Sequence, residues 1–279
     1  MKGIAFGQYY PAKAVMHRLD PRMKIVIGIL YIVASFLCKN PVTFGLLMLS
    51  AFLLILLSKI PVKIVLRSIK ALIFIMIFTA VLNIFWTTGE SDQLLFSWKF
   101  INIYVSGLYN AAFIVIRIIS MIIGTGIFLT YTTTPIQLTD GLEQLLSPLK
   151  LIRVPVHEFA MMMTIALRFI PTIIEETEKI MAAQKARGAD FANGSLGKRV
   201  KALIPVLIPL FISAFRRAGE LATAMTCRCY RGGKGRTRLN VLHLSYRDVI
   251  ALCLMLLFGA AIVLLNRFVM IDAPWWYTM

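Results

Sequence analysis

Five stretches of the chain run almost unbroken in apolar residues: 23–38, 42–57, 71–86, 103–129 and 249–270. Runs approaching the roughly 20 residues that cross a hydrocarbon core leave few soluble folds open, because a helix that is apolar all round must put that surface into lipid or a large interior. The first three are short and are expected to borrow flanking residues. Composition agrees: 59% of the 279 residues are hydrophobic and 15% are charged, where a soluble domain carries about half apolar and about a quarter charged residues. We expect an all-α integral membrane protein with about five transmembrane helices.

Almost every charge retained is basic, for a formal net charge of +17, so the cations set the orientation. With a cytoplasmic N-terminus, Lys2, Lys13, Arg18, Arg22, Lys24, Lys59, Lys63, Arg67, Lys70 and the whole segment 132–247 share one side. Lys39, Lys99 and Arg267, with Glu90 and Asp92, fall on the other, which puts the C-terminus outside. Three regions follow: a membrane domain at 1–130 holding spans one to four, a cytoplasmic domain at 131–247, and a fifth span with its tail at 248–279. No apolar stretch precedes Met23, so no removable signal peptide is expected. Cys38 and Cys253 lie in apolar runs, and Cys227 with Cys229 are too close for an ordinary bridge, which favours reduced thiols.

The segment 132–247 reads as three helices. TPIQLTDGLEQLLSPLK has a threonine before Pro135 and apolar positions at 138, 142, 145, 146 and 149, as a short amphipathic helix near the interface would. A second helix runs over 155–188, bent at Pro171, to about 50 Å of length. Ile173, Ile174, Thr177, Ile180, Met181 and Gln184 form one stripe of it, with Glu175, Glu176, Glu178, Lys179 and Lys185 on the other side and Gly188 placed to stop it. A third runs over about 198–228 with an apolar stripe of Phe211, Ala214, Phe215, Ala218, Ala222 and Met225, Arg216, Arg217 and Glu220 facing elsewhere, and Gly232, Gly233 and Gly235 ending it. The two long helices close alike, QKARGAD and TCRCYRG, each with an arginine between small residues, and Arg187 and Arg228 stand 41 positions apart. This spacing reads as an internal duplication of an arginine-tipped helix.

An arginine in a helix's last turn is favoured by the dipole alone, by about 0.3–1 kcal/mol. Two matched tips ask for more: the small neighbours Ala186, Gly188, Cys227 and Cys229 let a second surface approach while the guanidinium makes a forked contact with a carboxylate. A closed zinc site wants four ligands, and His17, His157 and His243 show no paired spacing with Cys227 and Cys229, which act better as small side chains; no metal is expected. Neither GGKGRT nor GSLGKR fits the Walker pattern, so the chain should not bind ATP itself. The basic patch has no nucleic-acid recognition fold and suits topology and anionic lipid. Arg117, inside the fourth apolar run, can pair with an acid, bind backbone carbonyls or reach toward water. Met161, Met162 and Met163 are either lipid-facing filler or a surface able to repack against different partners.

Taken as a set, TTTPIQLTDGLEQLLSPLK, PVHEFAMMMTIALRFIPTIIEETEKI, KARGADF and AMTCRCYRGGKGRTR resemble the transmembrane T component of energy-coupling factor transporters. The resemblance is close over the cytoplasmic segment and loose over the spans. It implies a non-catalytic coupling subunit in the cell membrane of a prokaryote, joining two ABC-type ATPases to one of several small membrane S components for uptake of vitamins or other micronutrients. It implies no cofactor of its own, ATP and magnesium being bound by the ATPases, and no nucleic-acid partner. The family's paired arginine motifs dock in grooves on the ATPases, which carries over to Ala186, Arg187 and Gly188 and to Cys227, Arg228 and Cys229. The first matches the usual Ala-Arg-Gly; the second departs from it with cysteine on both sides. RCYRGGKGRT is similar to the shared type, which the methionines at 161–163 would suit as an S-component surface. A dedicated cobalt or nickel T component, a permease forming its own substrate path, and a membrane enzyme are the alternatives. The last would need clustered acids or histidines, whereas Glu158, Glu175, Glu176 and Glu178 follow helix-surface spacing.

Overall fold

The computed structural model describes residues 9–12, 14–86, 94–98, 101–189, 191, 195–232 and 242–269. Lys2, Lys13, Glu90, Asp92, Lys99, Gly233 and Gly235 of the sequence reading lie outside them. The architecture is all-α: α1 (Pro21–Leu37), α2 (Pro41–Ser58), α3 (Val62–Trp86), α4 (Val105–Thr125), α5 (Pro135–Leu145), α6 (Val156–Ala186), α7 (Leu196–Cys227) and α8 (Tyr246–Val269). A short antiparallel hairpin, β1 (Leu94–Trp98) with β2 (Ile101–Tyr104), precedes α4, so the fourth run begins its helix at Val105 and not at Ile103.

Among the described residues six helices are long and apolar enough to cross a membrane: α2, α3, α4, α6, α7 and α8. The 17-residue α1 falls just short of that length. Helices α6 and α7 are the least apolar of the six, with mean hydropathies of 1.2 and 1.5 against 2.2–2.7 for the other four. Helix α3 starts well before the apolar run at Ala71, because Lys63, Arg67 and Lys70 are exposed on its first two turns and cost the helix nothing there.

The described residues divide into two compact units, one of Met1–Gly141 with Val241–Met279, the other of Leu142–Asn240. In the first, Asp20 caps α1 by accepting the Arg22 N–H at 2.9 Å, with Pro21 at the first helical position, where its missing N–H costs no bond. Ile27, Tyr31, Ala34 and Cys38 fall on one face of α1 and are buried against Phe44 and Leu47 of α2, Phe128, and Met255 and Ile262 of α8. Tyr31 stacks on Phe258 with ring centroids 6.3 Å apart and lies directly over Gly124, where any Cβ would overlap its ring. Helix α4 ends in a π-helical turn over Gly126–Tyr131, and the Thr132 hydroxyl takes up the freed carbonyl of Ile127 at 2.8 Å.

Arg117 of α4 binds a backbone carbonyl. Its Nη2 donates to Cys38 O at 2.8 Å while the guanidinium lies 5.2 Å from the centre of the Phe44 ring. Asn266 of α8 donates to the neighbouring Leu37 O at 2.6 Å. The last carbonyls of α1, which have no partner within the helix, are thus closed by two other helices.

In the second unit α6 and α7 are the long elements. Helix α6 continues through Pro171 without a break in its span, and α7 through Pro205 and Pro209. His157 in the first turn of α6 meets Glu143 with Nδ1 to Oε1 at 3.0 Å.

Candidate arginine tips and their supporting contact

Both long helices end in the same local geometry. At the end of α6, the Gly188 N–H donates to Lys185 O at 2.9 Å and the Ala189 N–H to Gln184 O at 3.0 Å, with Gly188 at φ +89°. At the end of α7, the Cys229 N–H donates to Thr226 O at 2.9 Å and the Tyr230 N–H to Met225 O at 3.0 Å, with Cys229 at φ +55°. Each is a Schellman closure, in which a left-handed residue turns the chain and its own amide and the next one satisfy the last carbonyls. Arg187 and Arg228 occupy the equivalent C-cap positions. The residue that stops α7 is therefore Cys229 and not, as the sequence suggested, the glycines from Gly232 onward. Glycine takes the left-handed conformation freely and cysteine at a cost of about 1–2 kcal/mol.

Ala186, Arg187, Gly188, Cys227, Arg228 and Cys229 are all exposed. Among the described residues neither guanidinium is paired. A planar cation at a helix C-cap, flanked by small residues, is set to take a carboxylate from outside the chain. Cys227 and Cys229 are free thiols.

Behind the tips the two helices meet at matched positions. Arg217 Nη2 donates to Glu176 Oε2 at 2.5 Å and Ser213 Oγ to Glu176 Oε1 at 2.6 Å. Glu176 and Arg217 are 41 positions apart, the same spacing as the tips, so each arginine tip lies eleven residues beyond the contact on its own helix. An apolar cavity of about 350 Å³ surrounds the pair, lined by Phe169 and Ile173 of α6 and by Leu210, Phe211, Ala214 and Leu221 of α7.

This corrects two sequence expectations. Glu176 was placed on the polar side of α6 and Arg217 off the apolar stripe of α7, yet they join the helices. The less exposed stripe of α7 is Leu210, Ser213, Arg217, Leu221 and Met225, while Phe215 is 74% exposed. The reason is pairing: a carboxylate and a guanidinium that satisfy each other can occupy a helix contact that composition assigns to apolar residues. The 41-residue offset between them was the signal that could have found the pair. Met162 and Met163 are exposed on the first turns of α6 and Met161 is half-buried.

The family described as cobalt transport protein, CbiQ, matches residues 12–239, a range that includes both tips. The chain is similar to proteins named energy-coupling factor transporter transmembrane protein EcfT. The one from Clostridium kluyveri is 50% identical over 277 residues, covering 99% of each chain. That from Ruminiclostridium cellulolyticum is 48% identical, covering 95% of this chain and 98% of its own. That from Bacillus subtilis is 43% identical, covering 95% and 99%.

Proposed function

The chain belongs to the family of energy-coupling factor transporter transmembrane proteins, and from that premise we propose that Arg187 and Arg228 are where this T component engages two cytoplasmic ABC-type ATPases. The observation that carries the proposal is the repetition of one closure, with arginine at the C-cap, at the ends of two helices. One tip per ATPase matches a partner present in two copies. ATP and magnesium belong to the ATPases, and this chain contributes no catalytic group.

The Glu176–Arg217 contact supplies the mechanics. The arms from contact to tip are equal, about 16 Å each at 1.5 Å per residue, while the arm of α6 back to Val156 is about 30 Å. A displacement of the tips, driven by closure of the ATPases, turns the helices about the contact and roughly doubles at the far end of α6. That end carries the exposed Phe159, Met162 and Met163, and α7 presents Leu207, Phe211 and Phe215. We assign these to the S component. Unbranched methionines suit a surface that receives several S components, and with RCYRGGKGRT they favour the shared over the dedicated cobalt type.

The multi-pass chain is placed in the prokaryotic cell membrane with its N-terminus inside. Arg18, Arg22, Lys24, Lys59, Lys63, Arg67 and Lys70 then lie at the cytoplasmic ends of their helices and only Lys39 and Arg267 at the exterior ends among the described residues outside unit 2 and apart from Arg117 and Arg247. The test is Arg187→Ala with Arg228→Ala in the complete transporter. Loss of ATPases from the membrane, or hydrolysis without uptake, is expected; undiminished uptake sinks the proposal. Copurification with several distinct small membrane proteins supports the shared type, and a single one supports the dedicated type.

A further inference from the structure

The start of α1 touches both places where the chain crosses between the two units. Lys24, 2% exposed, donates from Nζ to Thr132 O at 2.8 Å, just ahead of α5. Helix α5 itself passes so close that a Cβ on Gly141 would sit 3.2 Å from the Pro21 Cβ and 3.3 Å from the Arg22 nitrogen. On the returning side Arg22 Nη2 donates to Leu242 O at 2.6 Å. The Asp20 N–H donates to Asp248 Oδ1 at 2.8 Å, and the second oxygen of Asp248 accepts from the Ser245 N–H at 2.8 Å, so Asp248 joins the two helix starts. The chain leaves the first unit, called here the membrane unit because it holds α2, α3, α4 and α8, after Gly141 and returns at Val241. Five consecutive residues, DPRMK, therefore hold both crossings.

The chemistry of this junction is unusual for a purely structural one. Asp248 is 1% exposed and Asp20 7%; with the buried Lys24 and the partly buried Arg22 they make a set of two acids and two bases, Arg22 Nε lying 3.4 Å from Asp20 Oδ1. Desolvating such a set is costly, and well-packed apolar side chains close a junction at least as stably. What ions and hydrogen bonds add over apolar packing is direction: each donor fixes one backbone carbonyl at one place. An apolar seam can slide; this one cannot without breaking a buried charge-assisted bond.

We propose that Asp20, Arg22, Lys24 and Asp248 are positioning residues of the coupling function. They form an anchor that keeps the two crossings at a fixed spacing, so motion received at the arginine tips is not lost as slack where the chain leaves and rejoins the membrane unit. This rests on the T-component reading above. The anchor acts through the backbone at Thr132, Leu242 and Ser245 and touches neither substrate nor nucleotide.

The test uses the complete transporter in proteoliposomes with Lys24→Met and Lys24→Arg. Lys24→Met is expected to keep its ATPases and hydrolyse ATP within about twofold of wild type, while uptake per ATP falls about tenfold or more, the coupling being what is lost; Lys24→Arg recovers most of it. Spin labels carried by unnatural amino acids at Ile136 and Leu244, both exposed and flanking the anchor, read the spacing directly. The distance distribution is expected to stay narrow through turnover in wild type and to broaden about twofold or more in Lys24→Met and in Asp248→Asn, as a local opening would produce. Wild-type uptake per ATP in Lys24→Met, or unchanged label distances in both variants, overturns the proposal. So does a Lys24→Met chain whose loss of uptake matches its loss of assembled complex, since that is structural failure alone. Full coupling in the double arginine variant would instead sink the docking proposal, leaving the label distances to judge the anchor.

Discussion

Replacing Gly188 by alanine isolates what holds an arginine tip in place. Gly188 sits at φ +89°, and nothing lies within 4 Å of where its Cβ would be, so the substitution meets no steric obstacle and its whole cost is backbone. A side chain in the left-handed region costs about 1–2 kcal/mol. That cost falls on the closure formed by the Ala189 N–H to Gln184 O bond. Loss of glycine's greater freedom in the open state, about 0.5–1 kcal/mol, offsets part of that cost, so amide exchange at Ala189 should quicken several-fold, by up to about twelvefold, through local opening. The reverse substitution, Cys229→Gly, removes the same strain from α7 but adds glycine's greater freedom in the open state, about 0.5–1 kcal/mol. Exchange at Tyr230 should slow several-fold, by up to about twelvefold. Cys229→Ala keeps the left-handed demand and should leave Tyr230 as it was. Residue-resolved exchange in detergent measures all three. Wild-type exchange at Ala189 in Gly188→Ala, or a Cys229→Ala effect as large as that of Cys229→Gly, would refute backbone conformation as the determinant of the tips.

Three further substitutions probe the rest of the frame. Gly124→Ala drives a methyl into the Tyr31 ring and should destabilise the membrane unit by about 1–3 kcal/mol, read as a lower unfolding temperature in detergent. Arg117→Met leaves the Cys38 carbonyl without its donor, at about 1–3 kcal/mol; Arg117→Lys should recover part of this, reaching the carbonyl without a planar group over Phe44. Glu176→Gln keeps its shape but loses the ion pair with Arg217. Both side chains are about a quarter exposed, so stability should fall by no more than about 1 kcal/mol while uptake per ATP falls further. Equal, small losses in both would count against the contact as a pivot.

The apolar spans were legible because their signal is length, which neighbours cannot disguise. The start of α3 was hidden by Lys63, Arg67 and Lys70, since a window tuned to apolar runs excludes turns whose cations reach outward. The Thr134 cap before Pro135 was readable from its residue types, and Thr134 and Gln137 do close reciprocally, backbone N–H to side-chain oxygen, at 3.2 and 3.3 Å. The end of α7 was misplaced because glycine is the usual sign of a left-handed residue, and here cysteine holds that position. Arg22 and Lys24 were counted only as topology, because a charge near a span gives the same sequence signal whether it faces water or a carbonyl 108 positions away. Contacts of that kind exist only once the helices are assembled.

Glu176 and Arg217 stand at equivalent positions of α6 and α7, 41 residues apart like the tips, so this contact sets a position of one helix against its counterpart in the other. An identical charged residue in both helices would set like against like at hydrogen-bond distance, which is destabilising. The contact position must therefore differ between them to become attractive, and it holds glutamate in α6 and arginine in α7. The tips face outward and do not meet each other's side chains, so nothing forces them apart, and both hold arginine. The helices meet at matched positions and leave matched ends exposed. A charge exchange, Glu176→Arg with Arg217→Glu, should preserve coupling, because it restores the same opposition; Arg217→Glu alone should abolish it by placing two carboxylates together. Coupling measured as uptake per ATP separates the two outcomes, and an exchange variant no better than the single one would show that the position needs more than opposite charge.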